Sequence, residues 1–173
     1  MKVIIKYCLI SVLLSFTLCF VSSCDFRSKY ERIDDKVQVF LNYLDNKDKD
    51  VIKSMFAPAK INSIVSFDDD LEELLNYYDG VSQTKIQDSI AEDIDKHYEF
   101  SAKWYNIPYI IKTTKEEYRF AFYWCEEYTT DKDFLGIWSF YIIKENLFNR
   151  PTDYAYRGDG LWTPGINIDK VYD

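Results

Sequence analysis

Apolar residues recur at helical spacing over residues 28–44: Ile33, Val37, Phe40, Leu41 and Leu44 fall on one side of a 3.6-residue repeat. The polar run Asp45-Asn46-Lys47-Asp48 breaks that repeat. A second, short helix follows, with Val51, Ile52, Met55 and Phe56 on one side, and Pro58 closes it. Asp68-Asp69-Asp70 opens a third helix, with Leu71, Leu74, Leu75 and Tyr78 turned inward. Gly80 stands where a left-handed residue ends a helix. After Gly80 the period changes to two. Residues 81–86 can form a strand, and the polar stretch 87–96 reads as a hairpin or loop. Residues 98–113 are strand-like but contain Pro108, which has no N–H to give to a ladder and so marks an edge strand or a bulge. Residues 114–116 make a turn. In 117–128, Tyr118, Phe120, Phe122 and Trp124 point one way, and Arg119, Ala121 and Tyr123 the other. Residues 135–144 are almost wholly apolar, as in a central strand covered on both faces. Residues 146–173 read as irregular, with a turn at Gly158-Asp159-Gly160. Helices first and antiparallel strands after them give an α+β fold, with the helices segregated to one face of the sheet.

Ahead of the first helix lies a different pattern. Lys2 and Lys6 precede an apolar run over residues 7–20, and Val21-Ser22-Ser23-Cys24 follows at once. This arrangement resembles a bacterial lipoprotein signal. The resemblance implies a signal peptide over 1–23 and a tether over 24–29, ahead of one α+β domain over 30–173. It also implies lipid chains of the palmitate class on the sulfur of Cys24. A membrane-spanning helix needs about 20 apolar residues, more than this run supplies. An ordinary secretory site would show an A-x-A pattern, which is absent here. Two acyl chains suffice for stable anchoring. The expected address is therefore the extracytoplasmic face of a bacterial cell membrane. In Gram-negative lipoproteins an aspartate after the lipidated cysteine, here Asp25, often marks inner-membrane retention.

Charge and composition sharpen the picture. Without residues 1–23 the chain keeps 150 residues, enough for a real core. Of 21 basic residues, Lys2 and Lys6 are lost, leaving 19 against 29 acidic ones, a net charge of −10. Such a domain is repelled by nucleic acid and by anionic headgroups, so nucleic acid is excluded as a partner and the lipid, not a basic patch, must hold the membrane. All four tryptophans remain, with 14 tyrosines and 10 phenylalanines. That is enough aromatic surface to line a concave face or an interface as well as to fill a core.

Candidate chemistry is thin. Cys8 and Cys19 leave with the signal and Cys24 takes the lipid, so Cys125 remains alone and no internal disulfide can form. Inside an apolar strand, Cys125 reads as a buried, inert thiol. Asp45, Asp48 and Asp50 lack the Gly and Glu that a calcium loop needs at its sixth and twelfth positions, where Asp50 and Phe56 stand, and read as turn and N-cap carboxylates. Asp68, Asp69 and Asp70 complement a helix N-terminus. His97, the single histidine, has no cysteine or second histidine to share a metal with, and its polar surroundings suit an exposed strand end. No nucleophile elbow, phosphate loop, zinc-protease motif or C-x-x-C is present. No metal or cofactor is expected, and no catalytic residue is assigned.

Two segments carry a family resemblance. Asn46-Lys47-Asp48, followed by Val51, Ile52 and Met55-Phe56-Ala57, resembles the helical opening of nuclear transport factor 2-like domains. Phe122-Tyr123-Trp124, Asp131-Lys132-Asp133, Leu135-Gly136-Ile137-Trp138-Ser139 and Ile142-Ile143-Lys144 resemble the last hairpin of an uncharacterised lipoprotein family of low-GC Gram-positive bacteria, a domain of unknown function. Members of that group tend to end in a tryptophan and a Pro-Gly-Ile segment, matched here by Trp162 and Pro164-Gly165-Ile166. The resemblance spans residues 34–168, more weakly over 82–109. It implies a cystatin-like cone, a curved antiparallel sheet wrapped around the N-terminal helices, and no established activity.

An open cone would be lined by Trp104, Tyr118, Tyr123, Trp138 and Tyr141, with Arg119 to meet an anionic ligand; in a filled cone the same residues make the core. The leading expectation is a non-catalytic, membrane-anchored domain that binds a small ligand or a cell-envelope protein. Two alternatives stand beside it: a diverged enzyme with an acid–base pocket in the cone, for which His97 is the base to consider, and a purely structural lipoprotein that uses its surface.

Overall fold

The computed structural model describes residues 28–148 and 164–166. The chain divides into two units, residues 1–37 and 38–173. In the first, the described residues open helix α1, Lys29–Asp45, which runs on into the second. Ser28 and Glu31 form a reciprocal capping box: the Ser28 N–H donates to Glu31 Oε2 at 2.6 Å, and the Glu31 N–H donates to Ser28 Oγ at 3.2 Å.

The second unit is α+β. Three further helices follow α1: α2 at Lys49–Ser54, α3 at Pro58–Ser63 and α4 at Phe67–Tyr77. Six antiparallel strands come next: β1 at Ser82–Gln87, β2 at Ala91–Lys96, β3 at Ser101–Thr113, β4 at Glu117–Tyr128, β5 at Gly136–Lys144 and the two-residue β6 at Gly165–Ile166. The order across the sheet is β1-β3-β4-β5-β6, with β2 on the same edge of β3 as β1.

The α1–α2 turn is built by its side chains. The Asp48 N–H donates to Tyr43 O and the Lys47 N–H to Leu44 O, the paired bonds of a Schellman end. Lys47 takes the left-handed position of that motif at φ 57, where glycine is usual. Its ammonium donates to the carbonyls of Leu75 and Tyr78, which α4 leaves open at its C-terminus. Asp48 caps α2 by accepting from the Val51 N–H at 3.4 Å, the N-cap role expected of it. Pro58 opens α3 at its first turn rather than only ending α2, since proline's missing N–H costs nothing there. Gly80 is left-handed at φ 90, but it stands two residues past Tyr78, the C-cap of α4, and serves the link into β1.

Pro108 sits inside β3, an interior strand paired on both sides. The expected edge or bulge is replaced by a division of labour. β1 pairs with β3 from Tyr109 to Thr113, and β2 pairs with it from Ser101 to Asn106. Pro108 falls at the junction, where its carbonyl accepts from the Asp88 N–H at 3.1 Å and its absent N–H breaks no ladder bond. The irregularity in β3–β4 pairing lies instead at Lys103/Trp104, opposite an extra residue in β4, Glu126. β2 forms although all six of its residues are exposed; its pairing to β3 holds it rather than an apolar face.

One face of the sheet meets the helices and is filled. Phe40 of α1 lies 5.1 Å from Phe122 and 4.8 Å from Phe140, ring to ring. Tyr78 lies 5.3 Å from Tyr118 and 6.0 Å from Phe120. These side chains are fully or almost fully buried, with Leu41, Leu44, Ile52 and Phe56. Each adds about 1.5–3 kcal/mol of burial free energy, which accounts for a core on this side. Ala57 N–H donates to Ile137 O, and Ile137 N–H to Met55 O, stitching the α2–α3 junction to β5. Gly136, at φ 122, admits that approach: a Cβ there would stand 2.8 Å from Met55 O.

Candidate functional site

The six residues expected to line a pocket do not share a face. Tyr118 belongs to the helix-facing core, fully buried, with its hydroxyl donating to Tyr77 O at 3.2 Å and accepting from the Asp79 N–H at 2.9 Å. Burial raises its phenol pKa. Trp104, Arg119, Tyr123 and Tyr141 lie on the opposite, outer face by register: Asn106 pairs with Tyr123, Ala121 with Tyr141 and Arg119 with Ile143. Trp138 joins them through an extra residue in β5, because Tyr123 pairs with Ser139 while Trp124 pairs with Ile137.

The outer face has two ends of different character. At one, Arg119 is committed. Its Nε donates to Glu145 Oε2 at 2.7 Å and its Nη2 to Glu145 Oε1 at 3.1 Å, a bidentate pair. Its Nη1 donates to Asp88 Oδ2 at 3.1 Å, and the guanidinium lies 4.4 Å from the Phe148 ring centre. Arg119 is thus an internal clamp between β4, the turn after β5 and the loop after β1.

At the other end the rings form a continuous row. Phe100 stacks on Tyr128 at 5.2 Å, Tyr128 on Phe134 at 4.4 Å, and Phe134 lies 5.1 Å from Trp138. Trp138 meets Trp104 edge to face at 5.6 Å, and Trp104 stacks on Tyr123 at 5.1 Å, nearly parallel. All six are half-buried. The Trp138 indole N–H donates to Phe134 O at 2.7 Å, which fixes its plane. His97 adds a partial ring contact with Phe100 at 4.7 Å but is itself exposed, as expected, with Asp95 at 3.7 Å.

Charge on this end is negative. Asp93 pairs in register with Trp104, and Asp95 with Ala102, so both carboxylates share the face of the rings. The Tyr123 phenol is pushed up, first by burial and then by Asp93 and Asp95. Lys103, next to Trp104 in β3, belongs to the other face, where it is held by Glu127 at 3.3 Å and Glu92 at 3.8 Å. Ser139, 1 % exposed and opposite Tyr123, has a hydroxyl with no hydrogen-bond partner. Cys125 lies beneath Trp104 in register, buried, its thiol pushed up to about 11 by burial.

Sequence reasoning found Trp104, Tyr123 and Trp138 but missed Phe100, Tyr128, Phe134 and Asp93. Phe134 sits in the 3-10 turn Lys132–Phe134, outside any alternating pattern, and β2 carried no strand signal that would aim Asp93. Among the described residues no group of three or more His, Cys, Asp or Glu side chains could hold a metal, and no helix is long and apolar enough to cross a membrane. Cys24, Trp162 and the Gly158–Gly160 turn lie outside the described residues.

Among the described residues, helices followed by an antiparallel sheet, with a filled inner face and an aromatic, acidic outer one, define an α+β domain. A family model described as "Domain of unknown function (DUF5104)" matches residues 38–145, and the chain belongs to that family. The match runs from α1 to the end of β5 and takes in all six rings of the row and both aspartates. No curated protein matches the chain.

Proposed function

We propose that this protein is a membrane-anchored, extracytoplasmic binding domain, held by lipid on Cys24 and non-catalytic, whose working part is the aromatic row on the outer face of the sheet. The order of helices and strands also supports a nuclear transport factor 2-like, cystatin-like domain. One observation carries the binding reading: six rings, from Phe100 to Tyr123, make an unbroken chain of contacts on the face opposite the one where Phe40 and Tyr78 pack. Half-buried aromatics that pay no part of the helix-facing core are enriched at recognition surfaces. The lipoprotein reading rests on the 21–24 segment alone.

Two measurements test the proposal. Cys24→Ser should leave the protein unprocessed or release it from membranes; a variant that fractionates and migrates like wild type removes the lipid. Hydroxyl-radical footprinting should compare the purified protein with the protein in its native membranes. Trp104, Tyr123 and Trp138 should be protected in the native setting, and equal oxidation in both would remove the surface from consideration.

A further inference from the structure

The charge left free at the ring end of the outer face is negative. Arg119, the one cation expected to greet a ligand, is already neutralised by Glu145 and Asp88. Asp93 has no cation within ion-pair distance among the described residues, and Asp95 has only the exposed His97. Both carboxylates stand on the face of Trp104 and Tyr123. The turn that carries Phe134 adds Asp131 and Asp133 around a single Lys132. Aromatic faces attract cations through their quadrupole, and guanidinium groups stack on them. Carboxylates beside such rings add Coulomb attraction of the same sign. The buried Ser139 hydroxyl opposite Tyr123 is a further group on this face that lacks a partner.

The length of the row separates the classes of ligand. Five successive ring contacts of 4.4–5.6 Å cross four elements, β3, β4, the 3-10 turn and β5. A single small cation would occupy one or two rings. An extended polypeptide places alternate side chains on one side about 7 Å apart, more than one ring contact of this row spans, so two or more of them need a row as long as this one.

Resting on the binding reading above, we infer that the aromatic row takes an extended, arginine- or lysine-bearing segment of a partner protein, its cationic side chains laid on the rings and paired with Asp93 and Asp95.

Fluorescence anisotropy tests this with the full-length protein in non-ionic detergent. The probes are a labelled Gly-Arg octapeptide repeat and its Gly-Glu counterpart. The Arg peptide should bind, more weakly as salt rises, and the Glu peptide should not. The exposed pair D93N/D95N should weaken binding about five- to tenfold. D69N/E73Q on α4 makes the same change in net charge far along the chain and should change affinity less than about twofold. Trp104→Ala should weaken binding about tenfold or more; because it removes a packed ring, D93N/D95N, which leaves the packing intact, is the deciding variant. Equal losses in D93N/D95N and D69N/E73Q would reduce the effect to net charge and overturn the inference. So would an Arg peptide that does not bind. Native-membrane protection of Trp104 with no Arg-peptide binding would keep the surface and discard the cationic partner; failure of both would discard both.

Discussion

Lys47 is the residue whose replacement says most about how the helical layer holds together. It occupies a left-handed position at φ 57, which costs an L-residue about 1–2 kcal/mol. Against that cost, its ammonium bonds the Leu75 and Tyr78 carbonyls at the end of α4. Hydrogen bonds to charged groups contribute about 1.5–3 kcal/mol each. Desolvation takes part of this back, since burial holds the Lys47 amine below its ordinary pKa of 10.5 despite the nearby Asp79 and Asp45. Lys47→Ala keeps the strained backbone and loses both bonds, so it should destabilise by about 2–3 kcal/mol. Lys47→Gly loses the same bonds but sheds the strain, so it should recover about 1–2 kcal/mol of that. Urea unfolding followed by tryptophan fluorescence reads both, with the slope unchanged between variants. An alanine variant as stable as wild type would show that the ammonium contributes nothing. A glycine variant more stable than wild type would show that the strain exceeds the tie.

Two further outcomes follow from buried geometry. A Cβ on Gly165, which holds φ 135, would stand 2.0 Å from Phe140 O. Gly165→Ala should therefore break the β5–β6 pairing and speed hydrogen exchange at Ile142, whose N–H donates to Pro164 O, by about tenfold or more; unchanged exchange there would refute this reading. Burial, with the Asp45 carboxylate 2.7 Å from its hydroxyl, raises the Tyr78 phenol above 10.0. A phenol raised in the folded state gives stability that is full below pH 10 and lost as pH climbs. Tyr78→Phe should cost about 1–2 kcal/mol at pH 7 and flatten the alkaline arm of the stability curve; parallel curves for the two proteins would refute it.

Much of the architecture was legible in the chain. The alternation of β4 gives its bounds, Glu117–Tyr128, and its buried side, because a half-covered strand must alternate. The same alternation already separates Tyr118 from Arg119 and Tyr123, so a pocket lined by all three was inconsistent with the strand that carries them. β2 was illegible for the opposite reason: Ala-Glu-Asp-Ile-Asp-Lys buries nothing and is a strand only because β3 offers it an edge. Pro108 misled because its N–H is absent at the one place on β3 where neither β1 nor β2 asks for it. The Lys47 tie and the Asp45 carboxylate, which accepts from Tyr78, the Ser82 N–H and the Ser82 hydroxyl, join residues roughly thirty apart or more, beyond any local pattern. Arg119 looked available for a ligand because nothing near it in the chain announces Glu145 and Asp88.

The Cys125 thiol carries a practical consequence. Burial pushes its pKa up to about 11, so at pH 7 the thiol form dominates heavily. Alkylating reagents and disulfide exchange both need that thiolate. A cysteine engineered at Asn106, exposed beside Tyr123 in register, would therefore react in preference to Cys125. The outer face can take a spectroscopic label or a photo-crosslinker while Cys125 stays in place.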